Sequence, residues 1–173
     1  MEQKITTKFI IASDQDITVL IHLMQTISRE TFGDILNNEQ LESYFSASVN
    51  KSALKAELNS MSNQWLIVYQ DERPAGYACL TTKGERPKNI AQKRVIRIAG
   101  FGTLREIDDR RVRESLYEKC MSVSKSYEGI WITEYVHHPL LDYFESKGFT
   151  RLETAHVAYD FPLPAVCLLK NSF

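Results

Sequence analysis

The feature that most constrains this 173-residue chain is a pair of apolar segments separated by one amphipathic helical pattern. Arg94 to Leu104 reads as a long strand, and Gly129 to Tyr135 as a second. Between them, Val112, Leu116, Cys120 and Val123 recur at helical spacing. A strand–helix–strand unit of this length favours a parallel pair joined by a right-handed crossover. The middle of the first strand reads Ala99-Gly100-Phe101-Gly102. Glycine inside a strand marks a bulge or a close backbone approach.

The flanking elements fill out a layered fold. Thr7 to Ala12 reads as an opening strand. Ser13 and Asp16 resemble a capping box ahead of a helix with Ile17, Leu20, Ile21, Met24 and Ile27 on one face. Two shorter helices follow, one marked by Leu41, Tyr44 and Phe45, the other by Leu54, Leu58 and Met61 behind an Asn50 cap. Trp65 to Gln70 and Ala75 to Thr82 form a predicted hairpin around Asp71-Glu72-Arg73-Pro74. Lys83 to Gln92 is polar and reads as a loop. Asp108 or Asp109 is placed to cap the helix that carries Val112. Pro139 suits the first turn of a last helix and Gly148 its end. Two final strands are expected, Leu152 to Phe161 and Ala165 to Lys170. The order predicts a mixed α/β layer fold with helices on both faces of the sheet, in one domain over residues 1–173.

Composition removes several function classes. Apolar residues at 43% and charged residues at 25% exclude a disordered or fibrous chain. A net charge of -1 supplies no global field to recruit nucleic acid or an anionic membrane. No apolar run approaches membrane-spanning length, and the start of the sequence lacks the apolar core of a signal peptide. Cys79, Cys120 and Cys167 are far apart without metal-ligand spacing, so they read as buried free thiols and point to a reducing, cytoplasmic setting. The oligomeric state is left open, a homodimer being compatible.

The segment Tyr143-Phe144-Glu145-Ser146-Lys147-Gly148-Phe149 resembles one found in the GNAT superfamily of N-acetyltransferases. Thr31-Phe32-Gly33, Leu41 to Tyr44, Leu54 to Leu58 and Ala75-Gly76-Tyr77 resemble its bacterial branch that includes spermidine/spermine acetyltransferases. Element order agrees from about Lys8 to Lys170. A bland reading also exists for the segment, with Gly148 a helix C-cap and Phe149 a core residue. The resemblance implies a mixed, mostly antiparallel sheet with a central parallel strand pair. It also implies acetyl-CoA as co-substrate and a small amine as acceptor.

Two site regions follow from the resemblance. The coenzyme would lie against Phe101, Gly102 and Thr103 of the bulged strand and against the loop entering the next helix. In the family that loop carries two glycines; here it reads Asp108-Asp109-Arg110-Arg111-Val112-Arg113. Arg110, Arg111 and Arg113 suit phosphate through their guanidinium groups. The alternative is a solvated basic edge, with the aspartates as caps that repel a pyrophosphate. The family's acid is the Tyr of a Phe-Tyr pair, which is reversed here, so Phe144 holds the Tyr position. Tyr143 remains a candidate acid, set against a packing role.

Glu134 is the first candidate base and Glu106 the second, each against the reading of an exposed strand-end carboxylate. Adjacent His137 and His138 point in different directions, and no metal site is expected. His22 and His156 read as structural. Two functions therefore stand: an acyl-CoA-dependent N-acetyltransferase with altered coenzyme-loop and acid positions, or a GNAT-like binding or regulatory module without catalysis. A nucleic-acid partner is disfavoured, because the arginine cluster is short and offset by acids.

Overall fold

The computed structural model describes residues 1–107, 109–153 and 159–171. The chain opens with strand β1 (Ile5–Phe9), helix α1 (Asp14–Phe32), helix α2 (Asn38–Ser48) and helix α3 (Lys51–Leu58). Strands β2 (Asn63–Gln70), β3 (Arg73–Thr81) and β4 (Val95–Thr103) follow. Helix α4 (Arg110–Val123), strand β5 (Gly129–Tyr135), helix α5 (Leu140–Ser146) and strands β6 (Thr150–Leu152) and β7 (Ala165–Asn171) complete the described elements. The strands form one sheet in the order β1-β2-β3-β4-β5-β7-β6. β4 and β5 pair in parallel, and every other neighbouring pair is antiparallel.

Local chemistry explains the boundaries. The Ser13 side chain accepts from the Asp16 N–H at 3.1 Å, as a cap should, but the Asp16 carboxylate takes the Ile11 N–H instead of closing a box. The reciprocal capping box lies at α2, where Asn37 and Gln40 exchange hydrogen bonds of 2.8 and 3.0 Å. Asn50 caps α3 as expected, accepting from the Ala53 N–H, but α3 stops at Leu58 and leaves Met61 exposed. The β2–β3 hairpin turns on Asp71 and Glu72, both at positive φ, which matches the twist of the flanking strands. Gly148 ends α5 at φ +93°, where a side chain would be strained.

Two expected strands need correction. The opening strand lies earlier than Thr7 to Ala12, because Ser13 begins capping α1 and draws Ile11 into the cap. The expected strand Leu152 to Phe161 is β6, which starts at Thr150 and ends at Leu152. Glu153 and Tyr159 to Phe161 are not in a strand, and residues 154–158, including His156, lie outside the described residues.

Two apolar clusters cover the two faces of the sheet. α4 and α5 bury Val112, Leu116, Leu141 and Phe144 against Leu66, Leu80, Ile96 and Ile98. α1 to α3 bury Ile17, Leu20, Leu23 and Leu54 against Trp65, Ile67, Tyr77 and Cys79. A smaller cluster joins Ile90 of the β3–β4 loop to Trp131 and Cys167. All three cysteines are free and buried; burial pushes the Cys120 thiol up to about 12 and the Cys167 thiol to about 11. None is therefore a ready thiolate. No described helix is long and apolar enough to cross a membrane.

Candidate active site

The site begins with a register fault. Opposite β3 the pairing of β4 jumps from Leu80↔Ile98 to Cys79↔Gly100, so Ala99 is bulged out. The parallel ladder between β4 and β5 ends at the same place, with Ile98↔Ile132 its last pair. Beyond it, β4 continues along β3 to Thr103, and β5 continues along β7 to Tyr135. The two parallel strands thus part company, and backbone groups of β4 beyond Ile98 that face the gap have no β5 partner. The glycines at this point permit close packing: a Cβ on Gly102 would stand 2.8 Å from the Ile27 side chain of α1.

On the α4–α5 side, the gap opens into a cavity of about 480 Å³ at the N-terminus of α4. Thr103, Arg110, Arg113, Glu114, Tyr143 and Lys147 all line it. Arg113 lies over the Tyr143 ring at 5.0 Å. The Tyr143 hydroxyl donates to Glu114 Oε1 at 2.9 Å, and Lys147 Nζ donates to Glu114 Oε2 at 2.7 Å. The Lys147 hydrogen bond holds the Glu114 carboxyl below its usual range. Burial, reinforced by Glu114, pushes the Tyr143 hydroxyl well up, so it stays protonated with its donor engaged.

The remaining residues expected to bind coenzyme are distributed differently. Phe101 is buried behind the cavity, stacked near Tyr143 at 6.4 Å and edge-on to Phe144 at 5.3 Å. Gly102 faces α1, and Val112 is a core residue at 1% exposure. Arg111 turns away from the cavity, paired to Asp109 at 2.8 Å and to Glu2 at 2.9 Å. Asp109 caps α4 by accepting from the Arg111 N–H, and hydrogen bonds from Arg111 hold its carboxyl low. A fixed negative charge therefore sits at the positive end of the helix. Asp108 lies outside the described residues.

The aromatic pair of α5 is resolved by helical geometry. Adjacent residues differ in direction by about 100°. Tyr143 takes the cavity side, and Phe144 is fully buried among Phe101, Tyr117 and Phe149. The expectation that Phe144 marks the place of a missing catalytic hydroxyl therefore meets a core position.

On the strand side, Glu134 is nearly sealed. Its Oε2 accepts from the Tyr159 hydroxyl at 3.0 Å and lies 3.7 Å from His138 Nε2. His138 Nδ1 accepts from the Leu140 N–H at 3.0 Å, which leaves the ring proton on Nε2, facing Glu134. Burial pushes Glu134 up to about 7, and burial alone pushes His138 down to about 4. Both groups thus favour neutrality, and Glu134 exchanges its proton near neutral pH. Glu106 instead forms an exposed ion pair with Arg73, while His137 packs on Tyr135.

Sequence reasoning did not reach Glu114 or Tyr159; it read His138 only as one of two adjacent loop histidines and Lys147 only as part of the Tyr143–Phe149 segment. Arg110 and Glu114, four residues apart, and Tyr143 and Lys147, likewise four apart, share helix faces, which was an available signal. Nothing local links Tyr159 to Glu134, since their meeting depends on sheet order.

This architecture, a bulged strand parting from its parallel neighbour beside a helix N-terminus, is the GNAT fold. No protein-family model matches the chain, and no curated protein sequence matches it. Solved structures do. One is the PaiA N-acetyltransferase of Thermoplasma acidophilum in complex with coenzyme A, at TM-score 0.77 and 14% identity, covering 97% of this chain and 99% of that one. A GCN5-related N-acetyltransferase from Rhodopseudomonas palustris aligns at TM-score 0.71 and 15% identity, over 99% and 98% of the two chains. An aminoglycoside acetyltransferase from an uncultured soil metagenomic sample aligns at TM-score 0.64 and 16% identity, over 90% and 97%. At these identities the likeness is one of fold, and the named acceptors belong to those proteins.

Proposed function

We propose that this chain is an acyl-CoA-dependent N-acetyltransferase acting on a small amine, built as one domain over residues 1–173. The observation that carries the reading is the juxtaposition at the parted strands. A nearly sealed carboxylate lies on β5, and a cavity lined by Arg110, Arg113 and Lys147, with Asp109 and Glu114 beside them, lies on the helix side. The cavity suits the phosphates of acetyl-CoA. Arg110 and Arg113 would contact them through side chains, in place of the backbone amides that glycines would expose.

In this reading Glu134 takes a proton from the acceptor amine as its nitrogen bonds to the acyl carbon. The carbon–sulfur bond breaks and the thiolate leaves. Unpaired N–H groups of β4 between Ala99 and Thr103 would steady the carbonyl oxygen. His138 and Tyr159 hold Glu134 in place. Tyr143 sits close enough to the cavity to meet the leaving group, though its hydroxyl must first exchange Glu114 for it. A thiolate needs little protonation, so this exchange is not required for turnover.

One observation favours a second reading, a binding or regulatory module without catalysis. The Asp109 carboxylate occupies the N-terminus of α4, where an anion would otherwise dock. The test combines thermal shift against acetyl-CoA with thiol release over a panel of amines, on wild type and Glu134→Gln. Turnover abolished by Glu134→Gln supports the enzyme. Binding without turnover for any amine supports the module, and no stabilisation by acetyl-CoA would overturn the coenzyme assignment.

A further inference from the structure

A second basic recess lies at the opposite end of the parallel strand pair. It is a small cavity of about 150 Å³, floored by Val95 and Trp131 and rimmed by Thr82, Lys83, Arg86 and Lys93. No carboxylate lines it among the described residues. Glu128, just before β5, is engaged by the backbone N–H groups of Lys93 and Arg94, and Glu85, between the lining residues Gly84 and Arg86, is exposed and does not line the cavity.

A guanidinium lies behind the lining residues, beside the floor. Arg97 stands between Thr81 and Trp131 in the sheet, and both of those residues line the cavity. Its guanidinium lies over the Trp131 ring at 5.0 Å, and one terminal nitrogen comes within 3.9 Å of where a Cβ on Gly84 would be. Arg97 Nε is shut off from solvent and has no hydrogen-bond partner among the described residues. A buried guanidinium donor without an acceptor is costly to maintain. Arg86 is oriented by the carbonyls of Gln92 and Lys93, at 2.7 and 3.2 Å, which fixes a second guanidinium at the rim. Among the described residues, no carboxylate pairs with the ammonium groups of Lys83 and Lys93.

We propose that this recess binds a single phosphate group, either free phosphate or the phosphomonoester of a small molecule. At about 30 Å³ per water the cavity has room for roughly five waters, which suits one tetrahedral oxyanion and excludes a stacked base. Guanidinium groups match the geometry of such an anion, and the two lysines add charge without directional demand. The site is separate from the α4 cavity. It opens beneath the β3–β4 loop beside Val95 and Trp131, ahead of the point where the strands part, and shares no lining residue with the α4 cavity, so the inference does not rest on acyl transfer.

The test uses Trp131 as a local reporter, in a Trp65→Phe background so that one indole remains. Inorganic phosphate and glycerol phosphate are titrated against chloride at equal ionic strength, following emission and Tm. The expected result is saturable quenching and stabilisation by phosphate but not chloride. Lys83→Ala and Lys93→Ala, both at exposed positions, should each weaken binding by roughly 3- to 10-fold. Arg97→Gln should abolish it, and the lysine variants keep the test decisive if that variant fails to fold. Tighter glycerol phosphate than phosphate identifies a metabolite as the source, and equal affinity identifies the free ion; either supports the site. The proposal is overturned if chloride acts equally, if both lysine variants bind normally, or if Arg113→Ala abolishes the response, which would place the anion at α4. Preferential binding of a single-stranded oligonucleotide would likewise replace it with a nucleic-acid surface.

Discussion

The two flanks of the parted strands solve opposite electrostatic problems. On the α4 flank, charges are numerous, half-exposed and mutually paired: Arg111 with Asp109 and Glu2, Lys147 with Glu114. On the β5 flank one carboxylate, Glu134, is nearly sealed, and among the described residues its side-chain neighbours at the carboxylate are a neutral histidine and a phenol, with Asp160 and Arg97 acting from farther off. Water screens the first flank, so each pair there contributes little and can be exchanged for a ligand. The second flank is unscreened, so a single group is strongly perturbed. One flank is suited to binding an anion and the other to moving a proton.

The largest effect is expected on the proton side. If Glu134 is the base, Glu134→Gln should lower turnover by ~10²–10⁴-fold. Wild-type turnover should rise with pH through about 7, as the carboxyl deprotonates, and this step should vanish in the variant. Stability gives a second, activity-free readout. The folded pKa of Glu134 is raised from 4.5 to about 7, so its contribution is fully present below the unfolded value and is lost as pH rises through the folded one. The loss is on the order of 3 kcal/mol by pH 8. Glu134→Gln should therefore be relatively more stable than wild type at pH 8 than at pH 5. His138 acts oppositely. Its folded pKa is lowered to about 4, so its contribution is present above 6.5 and is lost as pH falls through 4. Denaturation curves between pH 4 and 8 that superimpose for the two proteins would remove the contrast between the flanks.

Next in size is the difference between two neighbouring arginines. Arg113 lines the cavity, whereas Arg111 is held outside it by two carboxylates. Arg113→Ala should weaken acetyl-CoA binding about 10-fold or more, as loss of a charge-assisted hydrogen bond. Arg111→Ala should weaken it less than about threefold. Titration calorimetry at two salt concentrations would check both, and equal losses would mean that the flank behaves as a diffuse field.

The aromatic pair sharpens the comparison further. Tyr143→Phe removes a half-buried hydroxyl bonded to Glu114, and should cost about 0.5–1.5 kcal/mol of stability. Turnover should fall less than tenfold, because a thiolate leaves readily. Phe144→Tyr puts a hydroxyl into a fully buried site among three aromatic rings, so it should destabilise by about 1–3 kcal/mol without a gain in turnover. A rise in turnover in that variant would restore Phe144 to the place the family resemblance gave it.

These cases show what the sequence could and could not convey. The elements around the site were legible because period and caps are local: β5 was read at Gly129 to Tyr135 and found there, and Asp109 caps α4 as one of two candidates. The bulge was legible from Gly100 and Gly102, although the bulged residue is Ala99. The parting of β4 from β5 was not legible, because it depends on which partner each strand keeps beyond Ile98 and Ile132. The same holds for Glu134, whose perturbation comes from burial by elements distant in the sequence, with the Tyr159 hydrogen bond opposing the shift. Directions of side chains on α4 were not legible where ion pairs compete: the three arginines read alike in the sequence, whereas Asp109 and Glu2 hold Arg111 outside the cavity.

The smallest expected effect tests whether Asp109 is what weakens the anion-binding flank. Asp109 accepts from the Arg111 N–H at 2.9 Å and from the Gln70 amide at 3.0 Å, so it caps α4 and fastens it to β2. Asparagine caps as well as aspartate, and its side-chain oxygen can keep the bond to the Arg111 N–H. Asp109→Asn therefore removes charge with little loss of helix. Two consequences should add. The positive end of the α4 dipole is no longer offset, and the Arg111 guanidinium loses its nearer carboxylate and becomes free to turn toward the cavity. Acetyl-CoA affinity should rise by about two- to fivefold, more at low salt than at high, because the site is solvent-exposed. The control is Asp109→Asn combined with Arg111→Ala. If the gain survives there, it comes from the dipole; if it disappears, Arg111 supplies it. Unchanged affinity in Asp109→Asn at both salt concentrations would show that the carboxylate does not repel the ligand. Asp109 would then no longer favour the reading of the chain as a non-catalytic module.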